Sequence, residues 1–189
     1  MMNNSTEHLY FIAILPPAAA IEQLMAYKHY FAQHYGARAA LRSPPHITLH
    51  MPFKFKESKE PLLHKLLASF AGQCQPCRLT LNGFGAFAPK VIYVKVEDNP
   101  CLTAMQARLL RHMRRDLYLF NGNYKDMAFK PHVTVAFRDL KKAAFHEAWP
   151  QYAQKQVYLQ FSTAHLTLLR HNGQQWQVHR QYPIGQEVA

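Results

Sequence analysis

Residues 44–53 read PPHITLHMPF and residues 131–137 read PHVTVAF. Both contain Pro-His-aliphatic-Thr-aliphatic, with His46 and Thr48 in the first copy and His132 and Thr134 in the second. On a β-strand, residues i and i+2 share a face. Each copy therefore sets an imidazole beside a hydroxyl and turns Ile47 and Leu49, or Val133 and Val135, towards a core. An imidazole titrates near neutrality and can take up or give a proton. Two of them on opposite sides of one centre do both jobs in a single displacement. The neutral ring accepts the proton of an attacking water or hydroxyl, and the charged ring donates one to the leaving oxygen. The threonine hydroxyls can donate hydrogen bonds to the non-bridging oxygens of a phosphate held between them. This chemistry is in-line displacement at a phosphodiester. It requires no metal and no cofactor, and no carboxylate cluster accompanies either motif.

Other residues near the motifs are candidates for binding. His50 shares the His46 face if the strand is regular, and it then extends the phosphate site or, with His46 and a distant histidine, holds zinc. Tyr93, and Lys130 and Arg138 near the ends of the second motif strand, are the remaining substrate-binding candidates. Lys54 and Lys56 are expected at the cleft mouth with them, where flanking phosphates would pass. Phe53, Phe55 and Phe129 offer rings for a base, although core packing is the commoner use of such residues. Arg108, Arg111, Arg114 and Arg115 crowd one helix and read as a solvated face.

The elements that must position these residues follow from periodicity. Strands are expected at 9–15, 46–53, 77–87, 91–96, 127–137, 157–161, 165–171 and 175–182, the last two joined around Asn172-Gly173 as a hairpin. Helices are expected at 18–35, 61–70, 100–119 and 140–149, where apolar residues recur at three- and four-residue intervals. The order repeats. Strand, helix, motif strand, helix and strand over 9–84 recur over 91–161, with matching elements about 80–86 residues apart. Two like lobes from an internal duplication, followed by the hairpin 165–182, would make one domain over 1–189 and would face the two imidazoles across a shared cleft.

Composition bounds the rest. The 189 residues are 49% hydrophobic and 17% charged, enough apolar material for a sizeable core. Lys and Arg number 22 against 11 Asp and Glu, for a net charge of +11, which favours polyanionic ligands such as RNA or nucleotides. Cys74 and Cys77 form a C-x-x-C that follows a helix and precedes a strand, the wrong context for a redox motif. With Cys101 they read as ordinary thiols of a reducing compartment. The N-terminal apolar run is too short for a membrane span and reads as the first strand. A cytoplasmic monomer without membrane association is expected.

The motifs PHITL and FKPHVTVAF resemble those of the 2H phosphoesterases, the two-histidine superfamily that includes the 2′-5′ RNA ligase-like proteins. LYFIAILPP, GFGAFAPKVIYVKV and LTLLRHNGQQWQVHRQYPIG are also similar to that family, so the likeness runs over nearly the whole chain. The doubled motif is its specific part. The resemblance implies an α+β, bilobal, pseudo-twofold fold, with an antiparallel sheet in each lobe, helices outside and a central cleft. It implies metal-independent chemistry on 2′,3′-cyclic phosphates or 2′-5′ linkages in RNA ends or nucleotides, with reversible RNA ligation as a side reaction. His46, Thr48, His132 and Thr134 would take the catalytic positions. For opening a cyclic phosphate the resemblance implies His132 as base and His46 as acid. One position departs from the pattern: Phe137 stands where many relatives have Arg, and Arg138, next to it, falls on the His132 face if the strand continues. RNA, a cyclic nucleotide and a signalling dinucleotide all remain open as substrates. A module that holds RNA ends or nucleotides in the same cleft without turnover is the alternative to an enzyme.

Overall fold

A computed structural model describes residues 6–122 and 128–186. The chain order is β1 (Glu7–Ile14), α1 (Ala18–Tyr35), β2 (Ile47–Lys56), α2 (Glu60–Gly72), β3 (Arg78–Phe87), β4 (Val91–Val96), α3 (Pro100–Leu117), β5 (His132–Ala136), α4 (Lys142–Gln154), β6 (Tyr158–Ser162), β7 (His165–His171) and β8 (Trp176–Pro183). Local signals set several boundaries. Gly36 closes α1 in the left-handed region, at φ 68°, and its N–H bonds to the Phe31 carbonyl. Asn99 caps α3 by accepting from the Leu102 N–H, and Pro100 sits in the first turn, where a missing N–H costs nothing. Short 3-10 turns at Ala39–Arg42 and Glu57–Lys59 carry no periodicity that a sequence reading would find.

The strands form one sheet in the order β6-β3-β4-β5-β2-β1-β7-β8, and every neighbouring pair is antiparallel. Its two halves, β6-β3-β4-β5 and β2-β1-β7-β8, meet at a narrow seam. Among the described residues, the only ladder pairing across that seam is Ile47 with Val133. The two motif strands are thus the inner strands of the halves. The halves group the strands differently from the sequence units. β3 lies between β4 and β6, and the β7-β8 hairpin takes the matching place beside β1.

One buried cluster draws side chains from all four helices and all eight strands. It includes Ile12, Ile14, Ile47, Leu49, Val133 and Val135, none more than 1% exposed. α1, which follows β1, packs against β5, whereas α3, which follows β4, packs against β2. Each motif strand is therefore backed by the helix of the other half, and this interlocking holds the seam that its single ladder pair cannot.

Two expectations need correction. Cys77 and Cys101 are joined in a disulfide, with Cα atoms 5.7 Å apart, and only Cys74 is a free, buried thiol. The β3–β4 hairpin returns the chain to the start of α3 and so brings the two sulfurs together, which a reading of spacing alone did not anticipate. The second motif strand is also shorter than expected. It begins at His132 instead of residue 127, and residue 127 lies outside the described residues.

Candidate active site

The Ile47–Val133 pairing fixes the geometry of the seam. Both side chains are fully buried on the helix side. Their neighbours point the other way, and His46, Thr48, His132 and Thr134 are all partly exposed. In antiparallel register His46 lies across from Thr134, and Thr48 lies across from His132. The imidazoles occupy one diagonal of a four-residue patch and the hydroxyls the other. Diagonal neighbours on paired strands stand about 7–8 Å apart, a gap that a phosphate group can fill.

The two imidazoles are held alike. His46 Nδ1 lies 2.6 Å from the Pro44 carbonyl oxygen, and His132 Nδ1 lies 2.7 Å from that of Lys130. A carbonyl only accepts, so each Nδ1 carries a hydrogen and each Nε2 is the free, titrating nitrogen. The prolines between, Pro45 and Pro131, have no N–H and hold the preceding residue extended, which aims its carbonyl back at the ring. This is the local purpose of writing Pro before His twice.

The rings differ in their surroundings. Burial pushes the His46 pKa down to about 4. The Pro44 hydrogen bond works against that shift, and the charges of Lys28 and His132 add to it. Burial also lowers the His132 pKa, opposed by the Lys130 carbonyl and assisted by the Lys130 ammonium. Phe11 of β1 packs on His46 at a ring separation of 4.7 Å, with Trp176 edge-on behind it at 4.6 Å. Tyr93 of β4 packs on His132 at 4.8 Å, and Phe87 meets the same imidazole edge-on at 5.2 Å. Lys130 Nζ lies over the rings of Phe87 and Tyr93, at 5.4 and 5.9 Å. Gly85 makes room for this wall, since a Cβ there would come within 2.5 Å of the Tyr93 ring.

The family model described as the 2′-5′ RNA ligase superfamily matches residues 15–175. The chain belongs to that superfamily. A Geobacillus thermodenitrificans (strain NG80-2) protein named "Putative phosphoesterase" is 29% identical over 182 residues, covering 93% of this chain and 96% of the relative. A Bacillus cereus (strain G9842) protein of the same designation is 31% identical over 146 residues, covering 75% and 80%. Among solved structures, TT0787 of Thermus thermophilus superposes with a TM-score of 0.68 at 18% identity, covering 95% of this chain and 100% of that one. E. coli LigT with 3′-AMP gives 0.67 at 20% identity, covering 96% and 100%. These two show the shared fold, and the family assignment carries a phosphoesterase function with it. No helix among the described residues is long and apolar enough to cross a membrane.

Within this 2′-5′ RNA ligase superfamily member, the residues expected from sequence separate clearly. Tyr93 and Lys130 are at the site, Tyr93 as a 2%-exposed wall rather than an open binding group. His50 is not there. The β1–β2 ladder shifts register between Ala13↔Thr48 and Ile12↔His50, a bulge that inverts the strand's alternation. His50 therefore shares the face of Ile12 and meets Phe53 edge-on at 5.0 Å with no exposed surface. Since it faces away from His46, the two cannot share a zinc ion. Arg138 lies beyond the end of β5 in the left-handed region, at φ 59°, with its guanidinium over the Phe137 ring. Strand parity no longer applies to it, so the alternation that would have put it on the His132 face ends before it. Lys54 is eight residues along β2 from His46, about 26 Å at the rise of a strand, so Lys54 and Lys56 flank the far end and not the cleft. Phe53 and Phe55 are in the core.

Lys28 was missed. It lies between Leu24 and Phe31 on the buried stripe of α1 and is 1% exposed. Its ammonium donates to the carbonyls of Ala40, at 3.0 Å, and Ser43, at 2.9 Å, and so pins the segment that leads into Pro44 and His46. Burial lowers its pKa to about 7. A lysine on an apolar helical stripe was the signal available in sequence. Replacing Lys28 with Met frees that segment and removes a charge that opposes protonation of His46. The His46 pKa should rise in an NMR titration, and kcat should fall by roughly 10–10²-fold from misplacement of the ring. An unchanged His46 titration would show that Lys28 does not act on it.

Proposed function

We propose that this protein is a metal-independent phosphodiesterase that opens 2′,3′-cyclic phosphates or cleaves 2′-5′ linkages at RNA ends or in nucleotides, with reversible RNA ligation as a side reaction when a hydroxyl takes the place of water. The observation that carries this reading is the Ile47–Val133 pairing, whose register sets His46 across from Thr134 and Thr48 across from His132, with both imidazoles held through Nδ1. The neutral imidazole takes a proton from water as its oxygen attacks phosphorus. The P–O bond to the sugar breaks on the opposite side, and the charged imidazole protonates the departing oxygen. Thr48 and Thr134 donate to the non-bridging oxygens, whose charge grows in the transition state. LigT has been crystallised with 3′-AMP, phosphate, ATP and NADP+, which supports a nucleotide phosphate as the ligand class here. Phe87 and Trp176 offer partly exposed rings on either side for a flanking base.

The surroundings of the two rings support a division of roles. Burial and a nearby lysine charge oppose protonation of both rings, but only His46 is pushed as far as about 4, which favours His46 as the base for opening a cyclic phosphate and His132 as the acid. This reverses the assignment implied by resemblance. The base must be neutral and the acid charged. In the free protein kcat/KM should therefore rise through a pKa near 4 and fall through one below the ordinary imidazole value of 6.5. A bell-shaped profile centred on the acid side of neutrality is expected. A bound phosphate raises both pKa values and should move the kcat profile to higher pH. The test is turnover of nucleoside 2′,3′-cyclic phosphates and 2′-5′ oligonucleotides with a chelator present, across roughly pH 3–9 to span the imidazole range. Loss of activity with chelator, restored by zinc or magnesium, would defeat the metal-free mechanism. Binding without turnover across the series would leave a nucleotide-binding module.

A further inference from the structure

On the helix side of β1, opposite the face that carries Phe11 and His46, three metal-ligating side chains converge. Glu60 and His64 stand at i and i+4 on α2 and share one face of it. His179 reaches them from the edge strand β8. One donor atom from each lies within 4.8 Å of the other two, and all three side chains are partly buried. His179 Nε2 is 3.3 Å from Glu60 Oε1, and His64 Nε2 is 4.0 Å from Glu60 Oε2. We propose that Glu60, His64 and His179 form a zinc-class metal site that clamps α2 to β8, separate from the histidine pair and without a part in its chemistry.

The donor set suits a borderline divalent ion. Two imidazoles and a carboxylate supply three of four tetrahedral positions and leave the fourth for water. Small rotamer adjustments bring the present separations to those of a common ion. The outer partners are also in place. Tyr182, buried, meets His64 Nδ1 at 2.6 Å and can accept its hydrogen, which leaves the Nε2 lone pair facing Glu60. The Tyr10 hydroxyl donates to Glu60 Oε1.

Two arginines face the cluster. Arg170 lies 3.8 Å from Glu60 Oε1 and is 37% exposed, so it can turn to solvent when an ion takes its place. Arg180 lies over the Tyr182 ring, 5.8 Å from its centre. These charges, and the net +11 of the chain, hold the affinity to a moderate level and favour an ion that bonds strongly to imidazole over magnesium or calcium.

The experiment is a calorimetric titration of the metal-stripped, full-length protein with Zn2+, with the visible spectrum of bound Co2+ as a second reading. One saturable equivalent is expected, together with a raised thermal midpoint in zinc, because the ion binds only the folded chain. Glu60→Gln and His179→Gln should each abolish that equivalent, while melting curves without metal verify that both fold. Tyr182→Phe should weaken it roughly tenfold through loss of the outer hydrogen bond. The His46→Ala/His132→Ala double variant should retain it in full. The chain has 12 histidines, so adventitious binding is the main competitor. An equivalent that survives both Glu60→Gln and His179→Gln, or the absence of any saturable binding, would overturn the proposal.

Discussion

Replacing either His46 or His132 with alanine should lower kcat/KM on a 2′,3′-cyclic phosphate by about 10²–10⁴-fold, the usual cost of one positioned proton-transfer group. Each ring is fixed through Nδ1 to a carbonyl two residues earlier, which leaves Nε2 to exchange the proton. Alanine removes the proton carrier and leaves water, unaimed, in its place. The double variant should lose less than the product of the single losses, because attack and departure belong to one displacement and the rings act as a unit. Thr48→Ala and Thr134→Ala remove one donor each to the phosphate and should cost less, roughly 10–10². Steady-state rates on purified variants, with melting curves to confirm folding, check the series. Losses in the threonine variants larger than in the histidine variants would place phosphate binding, and not proton transfer, at the centre of the site.

The parts of this site that depend on strand alternation were legible in the sequence. Ile47, Leu49, Val133 and Val135 are all buried, and the residues between them face out, because a two-residue period survives as long as the strand is regular. The failures mark the places where regularity ends. A bulge after Thr48 turned His50 into the core, and no residue type in HITLH announces it. β5 stops at Ala136, and the positive φ of Arg138 breaks the parity that would have put it beside His132. Long-range partners were out of reach for a different reason. The alternation that faces His46 outward does not say which strand lies beside it. The seam register is set by how the halves interlock, the place of β3 between β4 and β6 by pairing within one half, and the meeting of Cys77 with Cys101 by the return of the β3–β4 hairpin. Lys28 was visible as a polar residue on an apolar stripe, but its partners, Ala40 and Ser43, are supplied by a 3-10 turn with no sequence period.

The division of labour between the two rings is tested most directly by a substrate that needs no acid. An aryl phosphodiester with a good phenolate leaving group departs without protonation, so only the base is still required. On the proposed reading His46, with the pKa pushed further down by burial and the Lys28 charge, is that base, and His132 is the acid. The aryl substrate should therefore restore His132→Ala to near the wild-type rate, recovering most of its roughly 10²–10⁴-fold loss, and should leave His46→Ala impaired. Rescue of His46→Ala alone would reverse the two roles. Full activity of either single variant on the unactivated cyclic phosphate would contradict the two-histidine displacement itself.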